Sequence, residues 1–299
     1  MAYAIPFIRE LEFEYGAVDR LSPLVRRVIC RNPGAFTFMG TGTYIIGNGN
    51  VAVIDAGPPS SEHVDAILAA TEGETITHQL VTHTHMDHSP AARMVKEKTG
   101  AETWGYGPPD PTADGEKVEE GHDFDFAPDH VIRDGDVIEG DGWTMECVHT
   151  PGHTSNHICF GLREEKALFT GDHIMGWSTT IVSPPDGNMT AYFNSLEKLL
   201  ARDQDELYYP THGAPIKDVH DYVRAYRAHR QLRETQIIEV LKDGPKTIPE
   251  MVAIMYADVD KKLHRPAGRS VLAHLVHMTG DGRVKAEGGE ATSGAVYSV

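Results

Sequence analysis

Apolar positions change their spacing along the chain, and each change marks an element. Thr43-Tyr44-Ile45-Ile46-Gly47, the polar Asn48-Gly49-Asn50 and Val51-Ala52-Val53-Ile54-Asp55 read as two strands around a tight turn. Asn-Gly accepts the positive φ angles of such a turn, so a β-hairpin is predicted. The spacing then lengthens: Val64, Ile67 and Leu68 share one face of a helix predicted over residues 61–70. A strand at 78–82 runs into a histidine-rich loop. Ser89 as N-cap and Pro90 as first helical residue then open a helix reaching about residue 98. With a further strand at 102–106, strand and helix alternate, which implies a layered α/β architecture.

Residues 108–128 are rich in Pro, Gly, Asp and Glu and read as a long surface loop. Beyond it, strands are predicted at 137–138, 144–148, 157–161 and 167–170. A loop through Pro184-Pro185, a helix over 191–200 and a strand at 207–209 follow. From about Ile216 the character changes. A long helical pattern covers 219–241, shorter ones 249–256 and 270–278, and the end pairs Arg283-Val284-Lys285 with Ala295-Val296-Tyr297 around a Gly-rich turn. Two domains are expected: 1–216, and a winged-helix-like appendage over 217–299.

Composition narrows the functional classes. Apolar residues make up 40% and charged residues 24% of 299, as in globular proteins. No apolar run approaches membrane-spanning length and the start lacks a secretory signal pattern, so neither a membrane partner nor export is expected. Three cysteines, Cys30, Cys147 and Cys159, match neither a disulfide framework nor a thiolate zinc site; a reducing, cytoplasmic setting is expected. Net charge is −17, unevenly spread: 33 Asp+Glu against 14 Lys+Arg in 1–216, and 11 against 13 in 217–299. Such a field repels polyanions and counts against nucleic acid as main substrate, without excluding a local basic groove.

The chemistry concentrates in His83-Thr84-His85-Met86-Asp87-His88. Zinc favours imidazole and carboxylate donors, and this loop offers four within six residues. His153 in Pro151-Gly152-His153-Thr154, Asp172 in Thr170-Gly171-Asp172 and His212 in Thr211-His212-Gly213 each follow a predicted strand and complete seven donors. Seven suit two zinc ions sharing a hydroxide, with iron or manganese as alternatives. Asp55, ending the hairpin, is the candidate acceptor for the far nitrogen of a ligand imidazole. His157 and His173 are candidates for that role or for substrate contact. The remaining histidines, including His63, His122, His229, His274 and His277, read as surface or packed.

These motifs resemble the metallo-β-lactamase superfamily, defined by an HxHxDH loop and a later His, Asp and His. The resemblance implies a four-layer αββα sandwich with the metals at the edge of its two sheets. It assigns His83, His85 and His153 to one zinc, Asp87, His88 and His212 to the other, and Asp172 as the bridge; Asp87 also becomes a candidate proton acceptor. Asp172 is similar to the glyoxalase II and ribonuclease branches, whereas dedicated lactamases usually carry Ser or Cys there. Asn32-Pro33-Gly34, Gly40-Thr41-Gly42-Thr43-Tyr44, Pro151 to His157, Thr170-Gly171-Asp172-His173 and Ser183-Pro184-Pro185-Asp186-Gly187 resemble the β-lactamase-like protein 2 group, which also carries a C-terminal winged-helix-like domain. That group often has Asn where Gly42 stands here.

The expected function is hydroxide attack on a carbonyl: an ester, thioester, lactone or β-lactam, with promiscuous β-lactamase activity included. The alternative is a single-strand endoribonuclease, and a non-catalytic scaffold would require lost ligands. A small-molecule substrate is expected, and a homodimer or lid built on the tail stays open.

Overall fold

In the computed structural model, which describes residues 4–111 and 121–299, the period-two runs become two facing sheets. The first holds seven strands in chain order: β1 (Val18–Arg20), β2 (Val25–Ile29), β3 (Gly42–Ile46), β4 (Asn50–Ile54), β5 (Thr75–Leu80), β6 (Glu102–Gly105) and β7 (His130–Val131). Pairing is antiparallel up to β4 and parallel beyond it. The second sheet contains β8 (Val137–Gly140), β9 (Trp143–His149), β10 (Ile158–Leu162), β11 (Ala167–Gly171) and β12 (Leu207–Pro210), in the order β12-β11-β10-β9-β8.

Alternation along each strand sorts side chains between layers. Tyr44, Ile46, Ala52 and Ile54 meet Cys147, Phe160, Phe169 and Tyr209 between the sheets. Their neighbours Ile45, Val51 and Val53 face outward under α1 (Ser61–Ala70) and α2 (Ala91–Thr99). Val148, Cys159, Leu168 and Tyr208 face the other way, under α3 (Met189–Leu200) and the first half of α4 (Val219–Leu241). This is the expected four-layer αββα sandwich. Among the described residues no helix is long and apolar enough to cross a membrane.

The second half of α4 passes into a separate core with α5 (Ile248–Met255), α6 (His264–Gly280) and a small sheet of β13 (Lys246–Thr247), β15 (Val296–Ser298) and β14 (Lys285–Ala286). Helices and a three-stranded ribbon form the winged-helix appendage. One continuous helix thus serves both cores, with Val219, Tyr222 and Tyr226 in the first and Ile237 and Leu241 in the second.

Several expectations need correction. Ser89 does not cap α2: its hydroxyl donates to Asp123 at 3.0 Å, and the helix starts at Ala91 without a side-chain cap. α6 begins at His264, six residues before the predicted start, because Pro266 sits in the first turn, where a missing N–H costs no helical bond. Strands β1, β2 and β7 were not predicted; β2 buries Arg26 and Arg27 and so hides its strand character. Part of the loop expected at 108–128 lies outside the described residues. At its end Asp123 and Phe126 are buried rather than on the surface.

Candidate metal centre

The chain leaves β4, β5, β9, β11 and β12 on one edge of the sandwich, and the seven predicted donors all lie just past these strand ends. His83 Nε2 stands 3.1 Å from His85 Nδ1, and His153 Nε2 3.2 Å from the same atom. Two nitrogens on one tetrahedral zinc at about 2.0–2.1 Å stand about 3.3 Å apart, so this trio fits one ion. Asp87 Oδ2 lies 3.3 Å from His88 Nε2 and 3.1 Å from His212 Nε2, forming a second trio. Asp172 Oδ2 is 3.6 Å from His88, 3.5 Å from His212 and 4.0 Å from His153, between the two. Within each of three groups, His83/His85/His153, His83/His88/Asp172 and Asp87/His88/His212, donor atoms lie within 4.8 Å of one another, and every member is buried.

Three of the imidazoles are aimed from behind. Asp55 Oδ2 lies 2.9 Å from His88 Nδ1, Ile181 carbonyl 2.7 Å from His153 Nδ1, and Gly40 carbonyl 3.2 Å from His212 Nδ1. With the far N–H donating to these acceptors, the inner nitrogen is left as a lone pair, the form a metal ligand needs. Asp55 itself accepts from Thr82 N at 2.8 Å and from the Thr82 and Thr211 hydroxyls at 2.7 and 3.2 Å. Its backbone is left-handed, φ 51°, a conformation Asp tolerates better than most residues. Gly40 adopts φ 133°, and a Cβ there would meet Cys30 carbonyl at 2.0 Å; only glycine can present that carbonyl to His212.

Electrostatics point the same way. Burial alone would raise the Asp87 and Asp172 carboxyls, but His88 and His212 hold both well below the usual range. Reciprocally, the carboxylates overcome burial and lift His88 far above its ordinary value and His212 to about 10. His83 and His85 go the other way, because burial and neighbouring imidazoles disfavour a further proton. The second trio thus draws protons where a cation belongs. Buried His88 Nε2 and Asp172 Oδ1 find no hydrogen-bond partner. Orphaned buried donor atoms within a clustered N/O set of borderline hardness fit a divalent transition metal.

The lesser candidates divide. His157 is fully buried: its Nδ1 meets the Thr150 hydroxyl at 2.9 Å and its Nε2 accepts the Asp172 N–H at 3.2 Å, so it braces Asp172 and cannot touch substrate. His173 does neither job; its buried ring packs 4.7 Å from Tyr192 and both nitrogens lack partners. Sequence reasoning missed Thr41, whose hydroxyl donates to Asp87 at 3.0 Å and whose N–H is held by Asn32 Oδ1. It also missed His122, set aside as surface or packed, whose ring lies 4.7 Å from His85. Thr41 and Asn32 lie inside quoted motifs, which was the available signal; His122 had none. At Gly42 a Cβ would come within 3.0 Å of Thr211 carbonyl and 3.2 Å of Arg27, so a larger residue has no room in this backbone.

A family model described as the metallo-beta-lactamase superfamily matches residues 37–212, well over half of the chain. The chain belongs to the metallo-beta-lactamase superfamily. A beta-lactamase associated winged helix domain matches residues 247–292. This superfamily is metal-dependent, and the chain is a hydrolase of it, with a His/Asp cluster suited to metal. An atrochrysone carboxyl ACP thioesterase from Aspergillus chevalieri is 33% identical over 290 residues, covering 90% of this chain and 85% of that one. A beta-lactamase-like protein 2 homolog from Caenorhabditis elegans is 32% identical over 279 residues, covering 90% and 88%. A beta-lactamase domain protein from Burkholderia ambifaria superposes with a TM-score of 0.79 over 95% of this chain and 93% of that one; at 21% identity it speaks for the fold, appendage included.

Proposed function

We propose that this superfamily member is a dinuclear zinc hydrolase of carbonyl substrates, with acyl thioesters first among them. The observation that carries this reading is the pair of buried donor trios with Asp172 between them. His83, His85 and His153 would hold one ion, Asp87, His88 and His212 the other, and Asp172 would reach both. When bound, such a pair lowers the pKa of water toward neutrality and polarises a carbonyl oxygen.

The chain's own groups do the rest. Asp55, Gly40 and Ile181 fix the imidazoles, Thr41 and His212 fix Asp87, and Asp87 accepts and passes the proton released from water. In the overall reaction the acyl carbon gains a hydroxyl, its bond to sulfur breaks and the sulfur leaves as a thiol. Thioesters take precedence over lactams because a relative of near-equal length is named as an ACP thioesterase and Asp172 stands where dedicated lactamases usually carry Ser or Cys.

The test is a hydrolysis screen of the metal-loaded protein against acyl thioesters, lactones, a chromogenic cephalosporin and single-stranded RNA, with bound metal counted by elemental analysis. The expected result is thioester turnover well above the cephalosporin, at two metal ions per chain. RNA cleavage far above every carbonyl substrate overturns the ranking. Iron or manganese restoring more activity than zinc corrects the metal.

A further inference from the structure

Beside the metal centre lies a groove with an excess of positive charge. A cavity of about 490 Å³ opens between residues 179–181, Phe36, the middle of α4 and the start of α6. Two of its walls belong to segments that aim metal-centre histidines: Ile181 carbonyl faces His153, and Phe36 sits on the loop whose Gly40 carbonyl faces His212. The groove therefore borders the segments that frame the site. α4 contributes His229, Arg230 and Arg233 to it, α6 contributes Arg265 and Arg269, and no carboxylate of the described residues lines it.

Arg230 decides the reading. It is 3% exposed, and its guanidinium donates to Thr180 carbonyl and lies 5.1 Å over the Tyr192 ring. Its Nε has no partner, and among the described residues no carboxylate pairs with it. A buried guanidinium stays charged whatever its surroundings, so desolvating it without a counter-ion is costly unless a ligand supplies the anion. Arg233, half-buried one turn along, lies 5.0 Å over Tyr256 and donates to Gln236 at 2.9 Å. His229 beside them is held down to about 4 by burial and then by these two arginines, a local reading of positive potential. Arg265 and Arg269 take part in further interactions, Arg269 with Ser183 Oγ at 3.2 Å among them.

We infer that this groove is an anion-binding subsite of the same site, taking the phosphate of an acyl thioester carried on a phosphopantetheine arm. The inference rests on the thioesterase reading and names the carrier. The thioester carbon must lie at the metal centre, so the thiol half of the substrate has to leave the site along an open path. This groove borders the site and is open to receive it. Guanidinium forks match phosphate oxygens in pairs, and a phosphate is the charge a pantetheine arm presents at its far end. Coenzyme A and an acyl carrier protein offer the same arm.

The probes are two non-hydrolysable thioethers differing by one group, S-ethyl-phosphopantetheine and S-ethyl-pantetheine, titrated calorimetrically into the metal-loaded full chain. The phosphorylated compound is expected to bind at least tenfold tighter. In Arg233→Gln that advantage should fall below threefold with S-ethyl-pantetheine binding unchanged, and Arg233→Lys should restore part of it. Equal affinity of the two thioethers for the unaltered protein overturns the inference. So does single-stranded RNA binding that is lost in Arg233→Gln while neither thioether shows a preference.

S-ethyl-coenzyme A separates the sources. Affinity at or above that of S-ethyl-phosphopantetheine supports the nucleotide carrier, and clearly weaker affinity supports a protein-borne arm. Phosphate preference without turnover of any acyl thioester would refute the thioesterase reading and leave the subsite. Equal kcat/KM for acyl-pantetheine and acyl-phosphopantetheine would do the reverse.

Discussion

The metal centre and the arginine groove adjoin, share two loops and carry opposite surpluses of charge. In the centre, every ion-pair partner of Asp87 and Asp172 among the described residues is a histidine, and two of them, His88 and His212, are driven to take up protons. The groove has no such relief, because arginine does not deprotonate and His229 is already held neutral. The centre can thus exchange protons for metal as conditions change, whereas the groove, as inferred above, offers the charge of Arg230 and Arg233 to an anion. Their proximity suggests a division of labour: an electrophile that acts on the carbonyl, and an anchor that positions the far end of the substrate. Binding energy at such a remote anchor raises turnover only as far as it is used to orient the reacting carbonyl.

The largest effect should come from the group between the trios. Asp172→Ala removes the one carboxylate of the described residues within reach of both, so activity should fall on the order of 10³-fold, the upper scale for deleting a single charge-stabilising group. Elemental analysis should show close to one metal per chain in place of two. Full activity with two ions retained would break the proposed division, because Asp172 would then not connect the trios. Asp55→Asn is milder: the amide keeps the shape but presents a poorer acceptor to His88. Chelator competition should show metal binding weakened about 10–100-fold, the usual cost of losing a partner behind a ligand histidine. Unchanged metal affinity would reduce Asp55 to a structural tie between Thr82 and Thr211.

The groove side of the comparison is sharpened by salt. If arginine charge recruits a phosphate, kcat/KM for a phosphorylated thioester should decline several-fold between about 0.01 and 0.5 M salt, as screening shortens from about 30 Å to a few ångströms. The phosphate-free thioester should hold nearly constant. Parallel declines for both would place the salt effect elsewhere in the molecule.

The two regions also differ in how far the sequence announces them. The centre's first four donors fall within six residues, and the others follow strands whose alternation is plain, so chemistry and layers could be read together. The groove could not. Arg230 and Arg233 are neighbours on one helix and resemble a solvated stripe, while Arg265 and Arg269 stand on another helix whose start was misplaced by its proline. Only packing of α4 against α6 brings the four to one cavity. The same holds for β2, where Arg26 is buried against Glu74 and Arg27 against Asp19, pairings nothing local predicts. His122 reaches His85 through a β-bridge between segments far apart in sequence, and His173, beside a ligand in sequence, turns away to Tyr192. Adjacency in sequence pointed to the candidate donors and to Asp55, but not to Thr41 or His122.

The smallest effect concerns the appendage that supplies half of the groove. Glu234, on α4 next to Arg233, accepts from Arg283 at 2.7 Å and lies 3.2 Å from His274 Nδ1 and 2.7 Å from His277 Nδ1. Burial would raise its carboxyl, but these three partners hold it below the ordinary range. His274 is itself lowered, first by burial and then by Arg230, despite Glu234. Both shifts are depressions, so both contribute stability at neutral pH that is lost on acidification. His274 acts first: below about pH 6.5 the unfolded chain takes up a proton that the folded imidazole resists. Glu234 adds its share only as pH falls below about 4.5 and through its folded value. Protection of the α6 amides in the metal-loaded protein, measured relative to the intrinsic exchange rate at each pH, should therefore fall between pH 7 and 5, and His274→Gln should flatten that fall. Because His274 and Arg230 repel, an anion held at Arg230 should also ease protonation of His274 and blunt the acid sensitivity. An α6 whose protection ignores both pH and S-ethyl-phosphopantetheine would mean that the appendage and the groove are electrostatically independent.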